Sequence, residues 1–303
     1  LKLVPLLFFL LASAGSAQNV DFEGTVLDAK TKVPLPYVNL SFLGTLKGTS
    51  TGETGEFSIE ISKSLLEGEI HISSLGYKDT IVNAAQLYKV RRLLMTEDVF
   101  ELNEVVISKD YGASKVLNPI LSRGISSGFN SSSTPWIVAL YFPNIGASKK
   151  KVEKVNIFFR DNPYFKRDRA KFRLRFFGVD ATTKKPSKDL IQKSLVLEAV
   201  KGQSYTTIDL TGLQLQIPRQ GMFVGLEWLF VPYNWYPKSE KDQVTQKSKL
   251  EDRFAPTFGG VYSKNSNLKV MVYGMGQWQD FEVRSKIQGQ HLIPAVSVKI
   301  TEH

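Results

Sequence analysis

Residues 48–61 read GTSTGETGEFSIEI, and two readings of them lead to different molecules. Gly48, Ser50 and Gly52 fit G-x-S-x-G, the elbow on which a hydrolase presents its nucleophilic serine. That elbow needs a strand before the serine and a helix after it. Here Ser50 is followed by Gly52, Gly55 and then EFSIEI, where Phe57, Ile59 and Ile61 alternate with Glu56, Ser58 and Glu60. Alternation with period two marks a half-buried strand. The Thr, Ser and Gly residues before it favour a turn over a helix. A base is missing too: His71 sits in the strand-like EIHIS, and His291 and His303 fall near the far end of the chain. Ser50 is expected to be a turn residue between strands.

Working outward, short β-type runs cover residues 22–27, 37–42, 56–61, 69–73, 78–82, 90–94 and 104–107, with turn residues between them. About seven short strands at this spacing predict a sandwich. The order of motifs is specific: Gly24-x-Val26-x-Asp28, then Pro34-Leu35-Pro36-Tyr37-Val38-Asn39-Leu40, Gly48-Thr49-Ser50-Thr51, Gly55-x-Phe57 and Ser74-Leu75-Gly76-Tyr77. Over about residues 20–108 this resembles the carboxypeptidase-regulatory-like domain common in Bacteroidetes envelope proteins. The resemblance implies a transthyretin-like seven-stranded β-sandwich. It departs at Gly52, where the family usually has an acidic residue or Asn, which speaks against a cation site in this turn. Peptidase activity is not implied, because zinc peptidases need H-E-x-x-H or a His/Glu pair with a distant His, and none of the three histidines has such neighbours. ELNEVVIS (residues 101–108) resembles the segment that follows this domain in TonB-dependent receptors, although a receptor's plug and barrel are not expected in the remaining length.

The chain has 303 residues, room for about two domains. Residues 1–17 read as a secretory signal peptide: Lys2, an apolar run over 3–12, and small residues ending at Ala17. No second long apolar run follows, so no transmembrane segment is expected in the mature chain. Cysteine is absent, which excludes disulfides, thiolate metal sites and cysteine nucleophiles. The formal net charge is +10. An exported basic protein meets anionic lipids, acidic glycans and acidic proteins, whereas nucleic acid is not expected as a partner.

Residues 109–134 read as a linker, with a short helix around Val116–Leu121 and a flexible Ser/Gly/Asn run over 126–134. Strands are expected again at 136–142, 152–160, 169–179, 194–199, 205–210, 222–230, 268–273, 281–284 and 295–300. Their number, without a convincing helix, predicts a jelly-roll-like β-sandwich over 135–303. Residues 193–230 resemble jelly-roll modules of Bacteroidetes proteins. The reading is all-β: signal peptide 1–17, the transthyretin-like domain 18–108, linker 109–134, and the jelly-roll-like domain.

Three sets of residues could carry chemistry. In RAKFRLRFF, Ala170, Phe172, Leu174 and Phe176 point one way, and Arg169, Lys171, Arg173 and Arg175 the other. On an open sheet face the cations would form a row about 7 Å apart, fit for phosphate or carboxylate groups; paired with acids on adjacent strands they would be ordinary surface. In EWLFVPYNWYPK, Tyr233, Trp235 and Tyr236 are loop aromatics that could stack on sugar rings, joined by Trp278 and Asp280 if the loops meet. Capping one end of the sandwich is the plainer role. Asp161 with Asp168, and Glu251 with Asp252, are the carboxylate pairs a glycosidase would require about 5–10 Å apart. Residues 238–253, dense in both signs of charge, read as a long exposed loop. The expectation is a non-enzymatic exported envelope protein, without cofactor or metal, that binds an envelope protein, a glycan or an anionic surface. Carbohydrate binding through the aromatics is the alternative and a hydrolase the remote one.

Overall fold

The computed structural model describes residues 18–98, 112–131, 133–146, 148–241, 248–283 and 289–302. The expected signal peptide and the strand at 104–107 lie outside the described residues. About 53% of the structure is strand and 8% helix, an all-β sandwich architecture.

The first half contains β1 (Asn19–Asp28), β2 (Asn39–Phe42), β3 (Gly48–Ser50), β4 (Glu56–Ser62), β5 (Glu69–Ser73), β6 (Thr80–Asn83), helix α1 (Ala84–Val90) and β7 (Arg92–Met95). Two sheets, ordered β4-β1-β7 and β3-β2-β5-β6, hold seven strands among the described residues. Their core gathers Phe22, Val26, Phe42, Phe57, Ile61, Ile70 and Ile72. The alternation in β4 appears as Phe57 and Ile61 buried beside exposed Glu56, Ser58 and Glu60. Burying each such side chain contributes about 1.5–3 kcal/mol.

Two details depart from the sequence reading. Gly48–Ser50 is not turn but strand, paired antiparallel with Asn39–Ser41; the turn itself spans 52–55, closed by Gly52 N–Glu56 O at 2.7 Å. Gly55 is required there, with φ of 75° and room for no Cβ beside Pro34 and Leu35. The second departure is α1, which occupies the start of the expected strand at 90–94. Asn83 caps it by accepting from Gln86 N–H.

The second half contains β8 (Ala113–Leu117), β9 (Ser127–Phe129), β10 (Ile137–Phe142), β11 (Lys150–Phe158), β12 (Arg169–Val179), β13 (Pro186–Asp189), β14 (Leu195–Val200), β15 (Tyr205–Asp209) and β16 (Met222–Trp228). It continues with β17 (Trp235–Lys241), β18 (Ser248–Phe254), β19 (Phe258–Ser263), β20 (Val270–Gly274), β21 (Gln277–Asp280), β22 (His291–Pro294) and β23 (Val296–Glu302). One layer is the sheet β13-β12-β16-β10-β20-β21, with β14 also on β12. The other joins β15-β11-β23-β8 to β22-β19-β9 through the Phe159–Phe258 bridge and Ala295 N–Gly259 O. Between the layers lies a large apolar core that includes Phe172, Leu174 and Phe176 from β12 and Val155, Ile157 and Val298 from β11 and β23.

The expected linker needs correction. Residues 113–117 form no helix; β8 pairs with β23 from Ala113↔Glu302 to Leu117↔Val298, and β9 within the Ser/Gly-rich run pairs with β19. Residues 238–241 and 248–253 are not loop either: they belong to β17 and β18, which pair antiparallel, and the rest of the expected loop lies outside the described residues. The strand expected at 281–284 falls instead at β21.

Candidate functional site

The outer face of β12 is where the two halves meet. Each cation of the predicted row has a carboxylate partner. Arg169 Nη1 donates to Glu198 at 2.6 Å, an exposed pair on neighbouring β14. Lys171 Nζ pairs with Glu53 of the first half and lies 3.5 Å from Tyr37 Oη. Arg173, almost wholly buried, donates to Glu227 Oε1 at 3.1 Å and to the Tyr37 carbonyl at 2.9 Å. Arg175 makes a two-pronged contact with Asp189, through Nε at 3.0 Å and Nη2 at 2.5 Å, and reaches Glu227 Oε2 at 3.5 Å. Burial alone would lower the Arg175 guanidinium, but Asp189 and Glu227 outweigh it and hold it charged. From Lys171 to Arg175 the row is therefore taken up by the protein's own carboxylates, with the first half covering Lys171 and Arg173, while Arg169 stays exposed beside Glu198.

Asn39 and Ser50 complete the junction. Asn39 Nδ2 donates to Glu227 Oε1 at 2.6 Å. Ser50 Oγ donates to Asn39 Oδ1 at 2.7 Å and accepts from Phe230 N–H at 3.0 Å, while Ser50 N–H donates to Phe230 O at 3.3 Å. Gly48 allows the approach: a Cβ there would stand 2.5 Å from Pro135 Cδ and 2.8 Å from Thr134 Oγ1. The G-x-S-x-G string is thus a seam, with its serine hydrogen-bonded to an amide and a peptide N–H rather than to a base. At the other end of the contact, Tyr273 Oη lies 3.2 Å from Asp79 Oδ2 and 3.4 Å from His71 Nε2. Burial first, and then Asp79, push the Tyr273 phenol upward, the opposite of an activated hydroxyl. His291 Nε2 is spent on Leu268 O at 2.9 Å. Among the described residues no group of three His, Asp or Glu could hold a metal ion.

The aromatic set does not assemble. Tyr236 is buried against Phe165, Ala170 and Ala255. Tyr233 is partly exposed but lies under the Arg167 guanidinium, 5.1 Å from the ring centroid. Trp278 is on β21, not in a loop, packed between Phe177 and Tyr273 at 5.2 Å from each, and Asp280 is exposed on the same strand. Asn234 Oδ1 accepts from Lys171 N–H, so Tyr233 and Trp235 sit near Lys171 while Trp278 sits by Phe177, about 20 Å further along β12 at ~3.3 Å per residue. Trp235 is the most exposed of these aromatics at 43%, with Tyr233 at 39%, and its Nε1 is fixed on Asp252 Oδ1 at 2.8 Å.

Two concavities among the described residues bear on these sites. A groove of about 520 Å³ runs between the halves, lined by Thr49, Ser58 and Ile59 on one side and Phe230, Trp235 and Leu250 on the other. A smaller cleft of about 180 Å³ lies at the loops around 160–168, 201–204 and 255–257; Asp161 and Asp168 both line it, beside Arg160, Arg167 and Lys201. Of the other carboxylate pair, Glu251 is held by Arg253 at 2.7 Å and Asp252 by Trp235.

Sequence reasoning missed Glu227 and Asn39. Glu227 left a signal, as the one charged residue in the apolar run 222–231; an acid there demands a buried cation.

Among the described residues no helix is long and apolar enough to cross a membrane. No curated protein matches the chain. The family model that does match covers residues 22–107, the half that supplies Asn39, Ser50 and Glu53 to the seam, and identifies that stretch as a CarboxypepD_reg-like domain, a non-catalytic β-sandwich module.

Proposed function

We propose that the protein is a non-enzymatic, exported binding protein of the cell envelope, in which the CarboxypepD_reg-like domain is a fixed support for the second sandwich. One observation carries this reading: the groups that sequence motifs offered for catalysis or anion binding are bonded within the protein, Ser50, Lys171 and Arg173 across the junction and Arg169 and Arg175 within the second half. What such a surface offers is shape and polarity, held rigid. Export rests on the leader-like residues 1–17. Carbohydrate binding is the second reading, favoured by the open, fixed indole of Trp235.

The test is affinity purification from an envelope fraction with the mature chain as bait, alongside a hydrolase substrate panel. A retained envelope component with no turnover is the expected result. Turnover by the purified chain, or a blank purification together with no glycan bound, overturns the reading.

A further inference from the structure

We propose that the groove between the two halves is an oligosaccharide site, with a neutral sugar stacked on Trp235. This rests on the reading of the protein as a binding protein and adds the ligand class and its place. Trp235 is the exposed member of the four tryptophans: Trp228 is fully buried, and Trp136 and Trp278 are packed against other rings. Its indole is not loose, because the bond from Nε1 to Asp252 orients the ring before any ligand arrives, which lowers the ordering cost of binding. Leu250, 71% exposed, lines the same groove from β18, and Ile59 faces them from β4 of the first half. A fixed aromatic face bordered by aliphatic groups suits the C–H face of a pyranose.

The rest of the lining sets the polarity. Ser58 and Ser133 bring hydroxyls, and the lining holds two lysines, Lys47 and Lys249, and two carboxylates, Glu251 and Asp252, so the groove carries no net charge although the chain as a whole carries +10. A polyanion finds no surplus of cations there, whereas a neutral, hydroxyl-rich ligand finds donors and acceptors of both kinds. The volume, about 520 Å³, falls within the roughly 300–1,000 Å³ of small-ligand sites at domain junctions. Neither half makes the site alone.

The experiment is an array of neutral and acidic oligosaccharides probed with the mature chain, each retained sugar then titrated by tryptophan fluorescence. At least one neutral oligosaccharide should be retained. Trp235→Ala should weaken it roughly tenfold or more, as truncation of a central aromatic contact does. Ser58→Trp, which fills the groove from the opposite wall at an exposed position, should weaken it as much without touching Trp235. Tyr164→Ala, an exposed aromatic outside the groove, should leave it unchanged. Retention of no neutral sugar, retention of acidic sugars alone, or a bound sugar indifferent to both groove variants overturns the inference. A blank array with an envelope protein still captured by the bait sinks the groove and leaves the binding function standing; a blank array with nothing captured sinks both.

Discussion

Ser50 shows how little a five-residue string says without its surroundings. Its hydroxyl lies where a nucleophile elbow would put it in the sequence, yet it links Asn39 to the backbone of Phe230, a partner 180 residues away. Replacing it by Ala would leave the buried Phe230 N–H without its acceptor, and an orphaned buried donor costs about 1–3 kcal/mol. Ser50→Ala is therefore expected to lower the unfolding free energy read from urea titration by that amount, and wild type and variant alike should be unmarked by a fluorophosphonate probe. A label present in wild type and lost in Ser50→Ala would return the serine to catalysis. The absence of an elbow could be read beforehand, because EFSIEI can only be a strand once Phe57, Ile59 and Ile61 alternate. That Ser50 itself ends a strand could not: the segment is three residues long and opens on Gly, which is depleted in strands, and β3 exists because β2 offers it a partner.

At the scale of elements, β12 and β16 carry the junction, and they differ in how openly they announce it. The two faces of β12 were legible from its alternation, and Phe172, Leu174 and Phe176 are buried as that pattern demands. What covers the cationic face was not legible, since Glu53 and Asn39 lie more than a hundred residues earlier and docking leaves no periodicity. The β17–β18 hairpin was missed for a different reason: its ladder is made by backbone groups, and its mixed charges look the same on an exposed strand as on a loop. The buried network has a measurable consequence. Glu227, fully buried, faces Arg173 and Arg175 together. Glu227→Gln keeps the shape and an acceptor for Asn39 but leaves a surplus buried cation, and breaking a buried pair in this way costs about 3–5 kcal/mol. Lys154→Gln, at an exposed pair with Asp209, should change stability by about 1 kcal/mol or less. Equal effects in urea titrations of the two variants would show that the β12–β16 network is no more than surface charge.

For the whole molecule the question is whether the halves act as one body. Junctions between domains permit motion unless they are large and tightly held, and this one is held by the buried Arg173 guanidinium on the Tyr37 carbonyl, by the Lys171–Glu53 pair, by hydrogen bonds of Asn39 and Ser50, and by a glycine that lets the chains touch. A single calorimetric transition is therefore expected near neutral pH. Acid should weaken the junction in a defined direction. Glu53 is held below its ordinary value of 4.5, first by its hydrogen bond from Lys171 and then by that from Tyr37. A carboxyl whose value is lowered by folding contributes its full stability above the unfolded value, and that contribution disappears as pH falls through the folded one. Within the first half, Asp28 is likewise held below 3.8, chiefly by the Thr31 N–H. The melting temperature should thus hold level from neutral pH down to about 5 and fall below about 4.5, with Glu53→Gln showing a shallower fall because its side chain no longer titrates. An acid limb unchanged in Glu53→Gln would show that the part-exposed Lys171–Glu53 pair adds no stability; two separated transitions at neutral pH would mean that the halves are tethered without being docked, and the rigid groove between them would have no physical basis.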